Sequence, residues 1–476
     1  SAASDVYKRQ LVKRTHDCGM KVIIDFVPNH VARQYHSDVA PAGIKDFSAD
    51  DDTSVFFSPN NNFYYIPRQK FSPSFDLGSG DDAYNEFPAK ASGNDCFHAF
   101  PNQYDWYETV KLNYGIDYGN GSTHFSPIPD TWFKMLNILR FWAGKGVDGF
   151  RCDMAHMVPV EFWQWAISQV KEKYPDIKFI AELYDVHIYR DYIYRGGFDY
   201  LYDKVNLYDT LRGIQCHNIS AAQITGCWQT VEGIARHMLN FLENHDEQRF
   251  ASREYAGNAH LVLPSLVVAA TINNGPMMIY AGQELGERAE DAEGFSGRDG
   301  RTTIFDYWGV KTLQRWYNNG KCNYDHLSAD EIQLRETYAT LLKLATREKA
   351  ICKGSFFDVM YVNYNNPTFN PHNVYTYIRV YDNEVIVIAV NFAGCAFSCD
   401  ITIPQHAFDV LNMPKGTFMA TELLTGKKAK KTLSESEPFH VELAGNGAAL
   451  WKIKFPKSKA VKNKNEKTAT KKSLNT

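Results

Sequence analysis

Three acids close short apolar stretches of this chain: Asp153 in GFRCD, Glu182 in FIAEL and Asp246 in ENHDEQR. Two carboxyl groups facing one bond are the equipment for cleaving a glycosidic link. One protonates the leaving oxygen, while the other attacks the anomeric carbon or helps water to do so. Taken singly, each acid reads as a helix cap or a salt bridge. Taken together they fall into register. Asp153 to Glu182 is one strand–helix unit long and Glu182 to Asp246 is two, so all three are expected at strand ends around one cleft. Arg151 lies two residues before Asp153 and emerges on the same strand face by period-two alternation. Its cation is expected to keep Asp153 ionised, because a nearby positive charge lowers a carboxylate pKa. Glu182 needs the opposite treatment, a pKa raised by neighbouring acids and by enclosure.

The elements that must hold these acids are short and apolar. KVIIDFV (21–27) reads as a buried parallel strand, and VDGFRC (147–152), KFIAE (178–182), MLNFLE (238–243) and PMMIYA (276–281) repeat the type. Helical stretches, Trp132–Trp142 and Val160–Lys173 among them, lie between. This alternation predicts an α/β fold, a (β/α)8 TIM barrel with polar residues at its strand C-termini. The barrel is assigned to 1–30 and 119–350. Between them, 31–118 is rich in Asp, Asn, Gly, Pro, Phe and Tyr without helical period, and reads as an inserted domain after a barrel strand. VYTYIRVY, VIVIAVNF, ITIPQHAF and AALWKIKF fall within 351–456 and predict a C-terminal antiparallel β-sandwich. The lysine-rich end, 457–476, reads as a disordered basic tail.

At this point the motifs resemble a family. DFVPNH (25–30), GFRCD (149–153), AELYD (181–185) and ENHD (243–246) are similar, in order and separation, to the four signature regions of the α-amylase superfamily, glycoside hydrolase family 13. LNY (112–114) has the position of a fifth region. The resemblance implies a retaining glycosidase acting on α-1,4-linked glucans or malto-oligosaccharides. Asp153 would be the nucleophile, Glu182 the general acid and base, and Asp246 the stabiliser of the distorted sugar. His30, Arg151, Asn244 and His245 would form the substrate-binding set, and Asp25 would organise the site floor. Asn29 matches a position that often ligates a structural calcium, although the chemistry itself requires no cofactor. The same acids also serve transglycosylases and isomerases, in which a sugar hydroxyl replaces water. A non-catalytic glucan-binding relative is the third reading, disfavoured because all three acids are present.

Two departures stand out. Many members carry a Lys-His pair three and four residues after the nucleophile, which contacts sugar and helps to hold calcium; here the pair is His156 and Met157. If KVIIDFV is the third barrel strand, strands one and two are missing from this chain. Such an open barrel exposes two unpaired parallel edges, so residues 1–476 alone are expected to be unstable or poorly active. The first methionine is Met20, consistent with a fragment whose targeting signals cannot be read.

Bulk properties set the outer bounds. A chain of 476 residues exceeds a single core and implies two or three domains. The net charge of −4 gives no reason for a nucleic-acid or membrane partner, and no run of eighteen apolar residues appears. Oligomeric state is not legible. The nine cysteines lack zinc-ligand spacing and are expected to be mostly small core fillers. Aromatic content of 14% suits sugar-stacking platforms, with Trp106, Tyr107, Tyr114, Phe295 and Trp308 as candidates or as local core.

Overall fold

A computed structural model describes residues 2–37, 43–77, 84–294, 297–305 and 309–456. The expected platforms Phe295 and Trp308 and the tail 457–476 lie outside these residues. The chain forms two compact units, Ser1–Asp209 with Thr230–Phe241, and Thr210–Gln229 with Leu242–Thr476.

In the first unit, strands Ile23–Phe26, Gly149–Cys152, Lys178–Ala181, Tyr200–Tyr202 and Met238–Phe241 run side by side in chain order, all parallel. Asp25 pairs with Arg151, and Arg151 in turn with Ile180. The helices that cross between strands are written in the spacing of their apolar residues. In Asp130–Gly144, Trp132, Met135, Leu136, Leu139 and Ala143 recur every three to four positions and are buried. Val160–Lys173 does the same with Val160, Trp163, Ile167 and Val170. Both faces meet the strands in one cluster centred on Phe150, Phe162, Trp163 and Phe179.

The stretch after Phe26 is held by small ribbons and by one buried cation. His30–Ala32 pairs antiparallel with Thr109–Lys111, and Tyr65–Ile66 with Ala89–Lys90. Tyr64, Ile66, Phe71 and three alanines form a cluster of their own. Arg33, 5% exposed, fills the polar centre. Its guanidinium donates to the carbonyls of Tyr107 (2.6 Å), Lys90 (3.1 Å) and Thr109 (2.9 Å), to Ser92 Oγ (2.8 Å) and to Glu86 (2.7 Å). One side chain thus satisfies backbone groups that no regular ladder would pair.

The second unit holds a six-stranded antiparallel sheet in the order Ser355–Asp358, Val374–Tyr381, Glu384–Asn391, Ala448–Lys454, Gly416–Glu422 and Lys428–Leu433. Phe397–Ile401 and Phe439–Leu443 make a separate two-stranded sheet. Val374–Tyr381 and Glu384–Asn391 are buried along nearly their whole length, as their β-branched sequences suggest. ITIPQHAF departs from the expected strand: the strand stops at Ile401 and, after Pro404, Gln405–Leu411 is helical. Pro404 cannot donate to a ladder and suits the residue before a helix. The cysteine expectation holds in part, since Cys96, Cys152, Cys227 and Cys399 are buried but Cys18, Cys322 and Cys395 are exposed. Among the described residues, no helix is long and apolar enough to cross a membrane.

Replacing Arg33 by Met keeps the stem's volume but removes the closer counter-charge of buried Glu86, leaving it only the Lys90 ammonium at 3.4 Å, and frees the carbonyls that Arg33 holds. The expected loss is about 3–5 kcal/mol of stability. It is checked by urea unfolding; a loss below about 1 kcal/mol would mean the Arg33 centre is dispensable.

Candidate active site

The parallel sheet sets the first part of the site. Period-two alternation and the register of the strands place Asp25, Arg151 and the residues after Cys152 and Ala181 at one end. The backbone fixes the two acids: the Asp153 amide donates to Phe26 O (2.9 Å), and the Glu182 amide donates to Cys152 O (3.1 Å). Arg151 ties them together. Its Nη1 donates to Asp153 Oδ1 (2.6 Å) and Asp25 Oδ1 (3.0 Å), while Nη2 lies 2.8 Å from Glu182 Oε2. Nε donates to the Tyr202 hydroxyl (3.3 Å), whose ring lies under the guanidinium at 5.6 Å.

Glu182 is the most enclosed acid of the group, with its side chain 2% exposed. Oε1 accepts from the Tyr184 hydroxyl (2.6 Å) and Oε2 from the Met154 amide (2.8 Å). Met154 itself adopts a left-handed backbone, φ 42°. Tyr184, Tyr202 and the Met154 amide were not anticipated from sequence. Tyr184 sits two residues beyond Glu182 inside AELYD, the one signal that would have found it.

Arg151 acts on Asp153 in the expected direction, but it does not win. Burial raises the Asp153 pKa, Arg151 lowers it, and Glu182 and Asp25 raise it again, so that it is pushed up to about 6. Arg151 itself loses by burial, yet Tyr202, Glu182, Asp25 and Asp153 together raise its pKa above the ordinary arginine value. Asp25 is the most open member, its side chain about half exposed.

His30 begins the ribbon and pairs in register with Lys111. Burial first, and then the Lys111 charge, lowers its pKa to about 4, so the ring is neutral at physiological pH. The Asn29 amide donates to His30 Nδ1 (3.3 Å), which assigns the ring proton to Nε2. Trp106 lies against the His30 ring at 5.4 Å. Trp106, Met154 and His156 line a cleft of about 480 Å³. Tyr114 is local core instead: it is buried, donates to Pro28 O (2.7 Å) and packs edge-on to Phe162. Tyr107 packs edge-on to Phe75 and lends its carbonyl to Arg33. Asn29 is fully buried and its Oδ1 accepts from Lys111 Nζ (2.5 Å). Among the described residues, no group of three His, Cys, Asp or Glu side chains is arranged to hold a metal ion.

The second unit carries Asn244, His245 and Asp246 as a group. Asn244 Oδ1 accepts from the amides of Asp246 and Glu247, both at 2.9 Å, which holds the turn. His245 Nε2 lies 3.1 Å from Asp246 Oδ2, and Arg301 donates to the Asp246 carbonyl (2.6 Å). Glu243, just before them, is structural. It is buried against Arg249 (3.1 Å) and accepts from the Phe250 amide (2.8 Å).

Residues 128–312, which carry Arg151, both first-unit acids and Asp246, match the family model "Alpha amylase, catalytic domain". That stretch is similar to the catalytic domain of α-amylases, and the chain shares its fold with solved amylase structures. It is 28% identical over 170 residues to an α-1,4-glucan:maltose-1-phosphate maltosyltransferase of Cereibacter sphaeroides, a match covering 35% of this chain and 27% of that one. Over 285 residues it is 22% identical to neopullulanase 2 of Thermoactinomyces vulgaris, covering 58% of this chain and 40% of that one. Among solved structures, α-amylase from Geobacillus thermoleovorans, complexed with acarbose, shares the fold. The TM-score is 0.61 at 18% identity, with 94% of this chain and 80% of that chain covered. The matches to the curated maltosyltransferases thus span about a quarter of those enzymes' length or less.

The Arg151 cation holds the Asp153 pKa down against burial. Arg151→Met should therefore raise the Asp153 midpoint above 6 by about 1–3 pH units. Carbon-13 NMR titration of labelled aspartate reads this directly; a midpoint that stays near 6 would remove Arg151 from the balance.

Proposed function

We propose that the chain is the catalytic part of a retaining glycosidase that hydrolyses α-1,4-glucosidic bonds in starch-like glucans or malto-oligosaccharides. The observation that carries this reading is Arg151, whose one guanidinium contacts both Asp153 and Glu182. Asp153 attacks the anomeric carbon through a carboxylate oxygen, and the bond to the leaving oxygen breaks. Glu182 passes its proton to that oxygen. In the second half, Glu182 takes a proton from water, the hydroxide adds to the anomeric carbon, and the bond to Asp153 is released. His30, neutral with its proton on Nε2, has one donor for a sugar hydroxyl. His245 serves the same purpose, buried Asn244 holds its turn, and Asp246 stabilises the distorted ring. Trp106 offers a flat face in the cleft for a further sugar.

Transfer is the second reading, favoured by the similarity to maltosyltransferases. There a sugar hydroxyl, rather than water, intercepts the glucosyl-enzyme. Incubation with maltoheptaose separates the two: glucose and maltose indicate hydrolysis, longer chains or trehalose indicate transfer. Either reading requires Asp153. Asp153→Ala should cut turnover of a chromogenic maltoside on the order of 10⁴-fold or more while retaining some binding; unchanged turnover would remove Asp153 as nucleophile.

The pH profile follows from the same site. Asp153 attacks only when ionised, so kcat/KM should rise with pH through about 6, the value to which burial lifts this carboxyl. A profile already flat between pH 4.5 and 7 would contradict the assignment.

A further inference from the structure

The resemblance places a calcium ligand at Asn29 and another contribution beside the residue pair at 156 and 157. In this chain the oxygens at both places face a lysine. Lys111 Nζ lies 2.5 Å from Asn29 Oδ1, 2.7 Å from Asp95 Oδ1 and 3.3 Å from the Met157 carbonyl. The Tyr118 ring lies 5.7 Å away on a further side. The Lys111 side chain is 2% exposed and Asn29 is fully buried.

An ammonium has three N–H donors and no acceptor, and here three oxygens receive them. Calcium needs six to eight oxygens at 2.3–2.6 Å. These residues do not fit it: a fixed positive charge stands among the available oxygens and already occupies their shared centre. A calcium here would have to displace a buried ammonium and leave that ammonium without partners, which is costly.

We propose that Lys111 is a built-in cation that takes the place of calcium in this protein. Its four neighbours come from separate parts of the first unit. Asn29 ends the segment after Ile23–Phe26, Asp95 and Tyr118 belong to the stretch between strands, and Met157 lies four residues beyond Asp153. Lys111 sits opposite His30 on its ribbon, so the one ammonium fastens these segments to each other without a diffusible ion. A covalently carried cation cannot be chelated or diluted away.

The test is thermal unfolding of the protein after exhaustive dialysis against EDTA, with and without millimolar calcium chloride. The expected result is a melting temperature unchanged to within about 1 °C, because an ion with no site on the native state gives no mass-action stabilisation. Lys111→Met should lower the melting temperature by several degrees, with Lys111→Arg restoring part of the loss. A calcium-dependent rise of several degrees in the unmodified protein that Asp95→Ala abolishes would overturn the proposal. A rise that survives Asp95→Ala places the ion elsewhere and leaves Lys111 as the cation here. Should Lys111→Met fail to fold, the dialysis series on the unmodified protein and on Asp95→Ala still decides. A Lys111→Met protein that melts with the unmodified one also overturns it.

Discussion

One guanidinium among three carboxyl groups is the constraint on which the candidate site depends. Asp25, Asp153 and Glu182 approach a common point from three adjacent parallel strands. Like charges so enclosed repel strongly where the surroundings screen poorly. Arg151, carried on the middle of the three strands and stacked on Tyr202, makes their convergence tolerable. The fixed fork of arginine matters as much as its charge, because it reaches acids on both neighbouring strands at once. A lysine would offer a point charge without that span.

The approach of Asp153 and Glu182 to one another was legible because the chain repeats. Short apolar strands with polar ends recur at the period of a strand–helix unit, so their terminal residues fall on one rim. The two long helices were legible for the same reason, since Trp132 through Ala143 keep one apolar face. What escaped is set by contacts between distant segments. Tyr202 stands on a strand too short to show a pattern, and its importance arises only beneath Arg151. Lys111 looks like any exposed strand lysine until the ribbon pairs it with His30 and the Asn29 segment covers it. The pull of Arg151 on Asp153 was visible in the motif, whereas the burial that outweighs it was not.

The stretch between Phe26 and Asp130 shows how a segment with little regular structure is made firm. Its strands are two or three residues long, too short to satisfy their own backbone. Buried side-chain cations supply what the ladders lack, Arg33 at the centre and Lys111 where the segment meets Asn29 and Met157. Aromatic edges close the gaps, with Tyr64 touching Phe56, Phe57, Phe97 and Tyr118. The polar composition of this stretch therefore reflects the way it is held together.

The left-handed backbone at Met154 has a different kind of consequence. A side chain there strains the chain by about 1–3 kcal/mol relative to a conformation it would choose freely. Glycine would remove the strain and keep the amide aimed at Glu182, yet it would also strip the thioether from the cleft wall beside Trp106. Position 154 thus sets robustness of the fold against the shape offered to a ligand. A glycine at 154 would therefore relax the backbone and widen the cleft in the same step.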